Sequence, residues 1–101
     1  MSHSHYCITR SDLAIGLMAA YLIHAAGESS PGELPSDTRA VALVARDEEH
    51  IRVLEGELKE AGVSHRAIWE DGELFAIGIS PTADLSQIRR VTSSLPLIRQ
   101  G

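Results

Sequence analysis

The sequence predicts an α/β fold: a three-layer α/β/α sandwich around a four-stranded mixed sheet, ordered β-α-β-α-β-β-α, as a single domain over residues 1–101. Three observations predict it. Residues 40–45 (AVALVA) form a continuous apolar run of strand length, the pattern of an interior strand covered on both faces rather than of an alternating edge. Strand-like and helix-like segments alternate around that run, which calls for right-handed parallel crossovers. Asp71-Gly72, set between two further strand-like runs, is a favoured type I′ hairpin dipeptide and adds one antiparallel strand.

Tyr6, Cys7, Ile8 and Thr9 are good strand formers, and Ser11 or Asp12 can cap the helix that follows. Residues 13–26 contain one side chain that titrates near neutrality, His24, so this helix is expected to be nearly all buried. The run falls short of the roughly 18 residues of a membrane span. Asp12 sits where a secretory signal needs a basic region, and His24 interrupts its apolar end, so neither segment type is expected. Residues 27–37, rich in Ser, Pro and Gly, read as a long loop.

A second helix starts at Asp47, with Ile51, Leu54, Leu58 and Ala61 at helical spacing, acids early and Gly62 as the stop. Residues 64–69 and 74–79 are the hairpin strands. Ser80-Pro81 is expected to open a last helix with the stripe Leu85, Ile88, Val91 and Leu95, ended by Pro96.

Nine basic against fourteen acidic residues give a net charge of −5, which argues against indiscriminate nucleic-acid binding. Six of the acids (Asp47, Glu48, Glu49, Glu55, Glu57 and Glu60) fall in the second helix, leaving eight acids against seven bases elsewhere, so another face can still attract phosphate. Cys7 is the sole cysteine, which precludes an internal disulfide and makes a reducing, cytoplasmic setting the expectation. A domain this small gains burial by pairing, so a homodimer is expected.

His3, His5 and Cys7 alternate and would share one face of an extended segment, as ligands of a soft metal would, but no metal site is expected at a chain terminus of this kind. Arg89 and Arg90 can meet an RNA backbone or simply be solvated. Tyr21 and Trp69 have polar tips that can meet a ligand, but core packing is the expected role of both. Arg10, at a strand end beside a helix N-terminus, suits a phosphate or else a salt bridge to Asp12. No nucleophile elbow or glycine-rich phosphate loop occurs, and no cofactor is expected.

The order of several pieces resembles the type 2 peptidyl-tRNA hydrolases. That family runs a first strand into Arg-x-Asp-Leu, a Gly and an Ala-Ala-Gln-x-x-His-Ala-Ala helix. This chain has Arg10-x-Asp12-Leu13, Gly16 and Ala19-Ala20-Tyr21-x-x-His24-Ala25-Ala26. The family's Gly-Ile-Gly-Pro and Val-Thr-x-x-Leu-x-Leu are similar to Gly78-Ile79-Ser80-Pro81 and Val91-Thr92-x-x-Leu95-x-Leu97. The match spans almost the whole chain.

The resemblance implies hydrolysis of the ester between a peptide, or an aminoacyl group, and the tRNA 3′ end. It carries over Arg10, Asp12 and His24, and more loosely Asp71, which a tight turn leaves little inward reach. Such chemistry needs an activated water, a base of near-neutral pKa and donors for the oxyanion, with His24 as base and Asp12 as its orienting carboxylate. Arg10, Tyr21, Arg89 and Arg90 would be the substrate-binding residues. Residues 12 and 24 stand roughly 18 Å apart along a straight helix, at 1.5 Å per residue. The alternative makes Asp12 an N-cap and His24 an interior residue.

The departures fall on the chemistry. Leu17 and Met18 replace the family lysine, Tyr21 replaces its glutamine, and its threonine-bearing loop is cut to Glu70-Asp71-Gly72. Two functions are therefore expected in competition: a hydrolase of this type, or a catalytically degenerate relative that binds RNA or protein.

Overall fold

The structure, a computed structural model, describes residues 3–98. β1 (Ser4–Arg10), α1 (Ile15–Ser29), β2 (Arg39–Ala45), α2 (Glu48–Glu60), β3 (His65–Glu70), β4 (Glu73–Ile79) and α3 (Ser86–Thr92) succeed one another in the expected order. The strands line up β2-β1-β4-β3, with β1 parallel to β2 and antiparallel to β4, and β4 antiparallel to β3. The sheet is mixed, with α1 on one face and α2 and α3 on the other.

The hairpin turn forms as its dipeptide requires: Asp71 and Gly72 both adopt positive φ, 50° and 78°. α2 is the helix most fully specified by local sequence. Asp47 accepts from the His50 amide at 2.9 Å, Glu48 and Glu49 face the positive end of the helix dipole, and Ile51, Leu54 and Leu58 are buried. These three meet Ile8 of β1 and Ile77 and Ile79 of β4 in the larger core.

Five expectations are corrected. β2 is an edge strand, not an interior one. Val41, Leu43 and Ala45 join the larger core, but Ala40, Ala42 and Val44 turn to the face of α1, where that helix packs on β4, β1 and β3. One helix about 10 Å across cannot cover four strands spaced about 4.8 Å apart. The outermost strand is only partly covered on that face, with Ala40 exposed and Ala42 and Val44 half-buried, while on its outer edge Val44 donates its amide to the Pro96 carbonyl and Ile98 donates to the Ala42 carbonyl.

α1 is not nearly all buried. Met18, Ala25 and Ser29 are buried and Tyr21, Leu22 and Ala26 half-buried, whereas Ile15, Leu17, Ala20, Ile23 and His24 are exposed. His24 therefore lies outside the core. α1 also begins at Ile15 rather than next to Asp12, behind an Ala14 that offers no side-chain cap, because the Asp12 carboxylate is engaged by Arg10.

α3 begins at Ser86, not at Ser80-Pro81. The chain stays extended past Pro81 because Thr82 exchanges backbone hydrogen bonds with Ser4, at 2.9 and 3.2 Å, and so lengthens the sheet. Trp69 is exposed rather than packed in the core, with the Arg52 guanidinium 5.1 Å from its ring centre.

Candidate functional site

Arg10 ends β1 with its side chain turned inward, 6% exposed. Its Nε and Nη2 donate to the two carboxylate oxygens of Asp12 at 3.0 and 2.8 Å, a two-pronged pair. Its Nη1 donates to the Glu73 carboxylate and, at 3.3 Å, to the Leu74 carbonyl. The guanidinium carbon lies 5.1 Å from the centre of the Phe75 ring. Phe75 in turn stacks on Tyr21 of α1, centres 4.5 Å apart and planes inclined by 10°. The Tyr21 hydroxyl donates to Glu70.

A bulge builds this cluster. Ile68 pairs with Ala76 and Trp69 with Leu74, so Phe75 is an extra residue in β4. The alternation of side chains slips there. Leu74 enters the larger core, while Phe75 meets Tyr21 and Ala76 meets Ala25, both on α1. Thr9 fixes the bulge by donating to the Phe75 carbonyl at 2.9 Å.

The electrostatics follow from these bonds. The hydrogen bond from Arg10, reinforced by its charge, holds the Asp12 carboxyl below the usual carboxylate range against a smaller burial effect. Asp12, then burial opposing, then Glu73 fix the Arg10 guanidinium in its charged form. The hydrogen bond to Glu70, then burial, raises the Tyr21 phenol above its ordinary value. The cluster thus presents a carboxylate that resists protonation, a committed guanidinium and an aromatic pair.

Arg10, Asp12 and Tyr21 are therefore brought together. His24 is not with them: it stands nine residues past Ile15, about 13 Å up the axis, on the exposed arc of α1. Asp71 is exposed in the hairpin turn near Glu70 and Glu73. Arg89 and Arg90 lie on α3, across the sheet from α1, where Arg90 borders a groove of about 350 Å³ with Glu57, Glu60 and Gln87. Glu70, Glu73 and Phe75 are the cluster members that sequence reading passed over. Glu73 follows the Asp-Gly turn directly, and that was the available signal.

A second polar group lies beneath α1. His5 and Cys7 are buried on β1, a central strand rather than a loose terminus. Ser29 Oγ lies 2.7 Å from both the Ala25 carbonyl and His5 Nε2. The hydroxyl has one hydrogen to donate, so the direction of the His5–Ser29 bond follows the imidazole tautomer. Burial lowers the His5 pKa below its ordinary 6.5 and pushes the Cys7 thiol up to about 11, the latter offset in part by Ser29. Gly78 lets α1 approach this closely: a Cβ there would stand 2.2 Å from the Ala25 carbonyl oxygen. Above His5 and Cys7, an apolar groove of about 240 Å³ opens between Leu22, Ile23 and Ala26 of α1 and residues 40–42 of β2.

Among the described residues, no group of three or more His, Cys, Asp or Glu side chains is placed to hold a metal ion, and no helix is long and apolar enough to cross a membrane. No family model and no curated protein matches the chain. Among solved structures it is similar to the protein of unknown function Atu0240 from Agrobacterium tumefaciens strain C58, with a TM-score of 0.64 at 13% identity over 98% of this chain and 99% of that one. At that identity the likeness concerns the fold alone.

Proposed function

We propose that this chain is a cytoplasmic interaction module on a fold like that of the type 2 peptidyl-tRNA hydrolases, and that it binds a protein partner through the outward face of α1. One observation supports this above the rest. Ile15, Leu17 and Ile23 are 67%, 50% and 74% exposed on a helix that carries no Asp, Glu, Lys or Arg before Glu28 and one exposed histidine, His24. Exposed apolar side chains gathered on one helix mark candidate interaction sites on soluble proteins.

The cluster at Arg10 fits the same reading. A general base works best with a pKa near the operating pH, and Asp12 is held in the opposite direction by its pair with Arg10. The guanidinium already serves two carboxylates, which leaves it a poor phosphate receptor. The test is peptide release from purified peptidyl-tRNA at high protein concentration. The expected result is none above background, unchanged in His24→Ala.

A hydrolase acting on peptidyl- or aminoacyl-tRNA is the second reading. The favouring observation is that Arg10 and Asp12 meet at the C-terminal end of β1, just ahead of the α1 N-terminus, beside the Tyr21-Phe75 stack. Release of peptide that is lost in Asp12→Asn would establish it over the first.

A further inference from the structure

We infer that the apolar groove between α1 and β2 is a binding site for a small neutral molecule with one ring and one hydroxyl, the ring filling the groove and the hydroxyl meeting the imidazole of His5. The site adds to the reading of α1 as a binding face and does not depend on it.

Side-chain size is the first ground. Ala26 of α1 and Ala40 and Ala42 of β2 line the groove, so methyl groups leave open about 240 Å³ that larger residues would fill. Leu22 and Ile23 complete its apolar wall. That volume suits a molecule rather than a helix or a strand. A cavity of about 150 Å³ with apolar walls already admits benzene, and the groove therefore takes a ring with one or two short substituents.

The second ground is the polar group at its floor. His5 borders the groove, is 7% exposed, and is bonded through Nε2 to Ser29 at 2.7 Å. Its Nδ1 makes no hydrogen bond among the described residues. A ring nitrogen held among apolar side chains has little access to water, so a ligand that supplies a hydrogen bond there gains by it. Whether Nδ1 donates or accepts follows the tautomer. A hydroxyl can answer either way, where an ether or a ketone can only accept. Apolar walls with one placed polar group are the usual form of a small-molecule site.

The third ground is charge. No Asp, Glu, Lys or Arg lines the groove. Burial lowers the His5 pKa below 6.5 and pushes the Cys7 thiol up to about 11, so both are uncharged at neutral pH. A carboxylate or an ammonium would enter without a partner and give up its hydration, which excludes charged ligands.

Titration of the isotope-labelled intact chain with p-cresol, toluene and p-toluate, followed by amide NMR shifts, tests the inference. The three probes share a ring and a methyl group and differ in what they offer His5. The amides of Cys7, Ala26 and Ala42 should shift with p-cresol, at a dissociation constant of about 1 mM for a ligand of this size. Toluene should bind about fivefold more weakly for want of the hydrogen bond, and p-toluate should not bind.

Ala42→Leu should fill the groove and abolish p-cresol binding. Ala40→Leu, at an exposed position that tolerates the larger side chain, should do the same from the mouth. His5→Phe should erase the preference for p-cresol over toluene. No shift with p-cresol, equal affinity for p-cresol and toluene in wild type, or binding that survives both leucine variants overturns the inference. So do the same shifts on concentrating the ligand-free chain, which would put a second copy in the groove, or their appearance only with a protein partner, which would put that partner's side chain there.

Discussion

Arg10 and Asp12, two residues apart, close a two-pronged ion pair, with Nε and Nη2 of the guanidinium 3.0 and 2.8 Å from the two carboxylate oxygens. The carboxylate that might have capped α1 or oriented a base instead compensates an inward-turned cation. Asp12 is 39% exposed, so solvent screens the pair, and Asp12→Asn should cost about 1 kcal/mol of stability. The folded-state pKa of Asp12 is depressed, so the pair's contribution is present above the ordinary carboxyl value of 3.8 and is lost as pH falls through the folded value. Urea unfolding of wild type and Asp12→Asn at pH 7 and pH 3 checks both points: the difference between them should shrink at the lower pH.

Gly78→Ala should be among the most disruptive small substitutions in the chain. The new Cβ would lie 2.2 Å from the Ala25 carbonyl oxygen and 2.4 Å from Ser29 Oγ, so α1 as a whole must lift off the sheet. Overpacking costs about 1–3 kcal/mol, and the rigid carbonyl places this case at the upper end. Denaturant midpoints measure it. Adding Ser29→Ala relieves one of the two contacts and should not restore wild-type stability.

His5 should make the protein acid-sensitive well above the carboxyl range. Burial lowers its folded pKa below 6.5, so at mildly acidic pH the unfolded chain binds a proton that the folded chain refuses. Stability is then constant above about 6.5 and falls as pH drops from there toward the folded value. In His5→Gln the slope of unfolding free energy between pH 6.5 and 5 should flatten. An unchanged slope would place the titrating group elsewhere.

The fold was legible because its signals are local. Asp47 ahead of Ile51, Leu54 and Leu58 specifies α2, and Asp71-Gly72 specifies the hairpin. The misreadings concern partners across space. An apolar strand and an apolar helix both read as interior, yet β2 lies at the end of the four-stranded order and is only partly covered on the α1 face, and α1 leaves Ile15, Leu17 and Ile23 exposed. Hydrophobicity reports that a face needs covering and not whether the same chain covers it. In the candidate site, Arg10-x-Asp12 could be read from the chain, but Phe75 and Glu73 could not, because the extra residue in β4 breaks the two-residue period on which strand reading depends.

Cys7 should behave as a silent thiol in the native protein. Its pKa is pushed from 9.0 to about 11, so the thiolate fraction at pH 8 falls about a hundredfold before any steric protection by α1 is counted. Burial is the larger cause, and the nearby Ser29 hydroxyl only moderates it. Reaction with an aromatic disulfide reagent at pH 8 should therefore be at least a hundredfold slower than in urea-unfolded chain. The linkage also has a sign. The folded state holds the thiol proton more tightly, so stability falls as pH rises above about 9, toward the folded value near 11. Cys7→Ala removes that alkaline slope, at the expense of a small cavity beneath α1. A native thiol that reacts as fast as the unfolded one would mean that α1 opens freely from the sheet, against its close contact with Gly78.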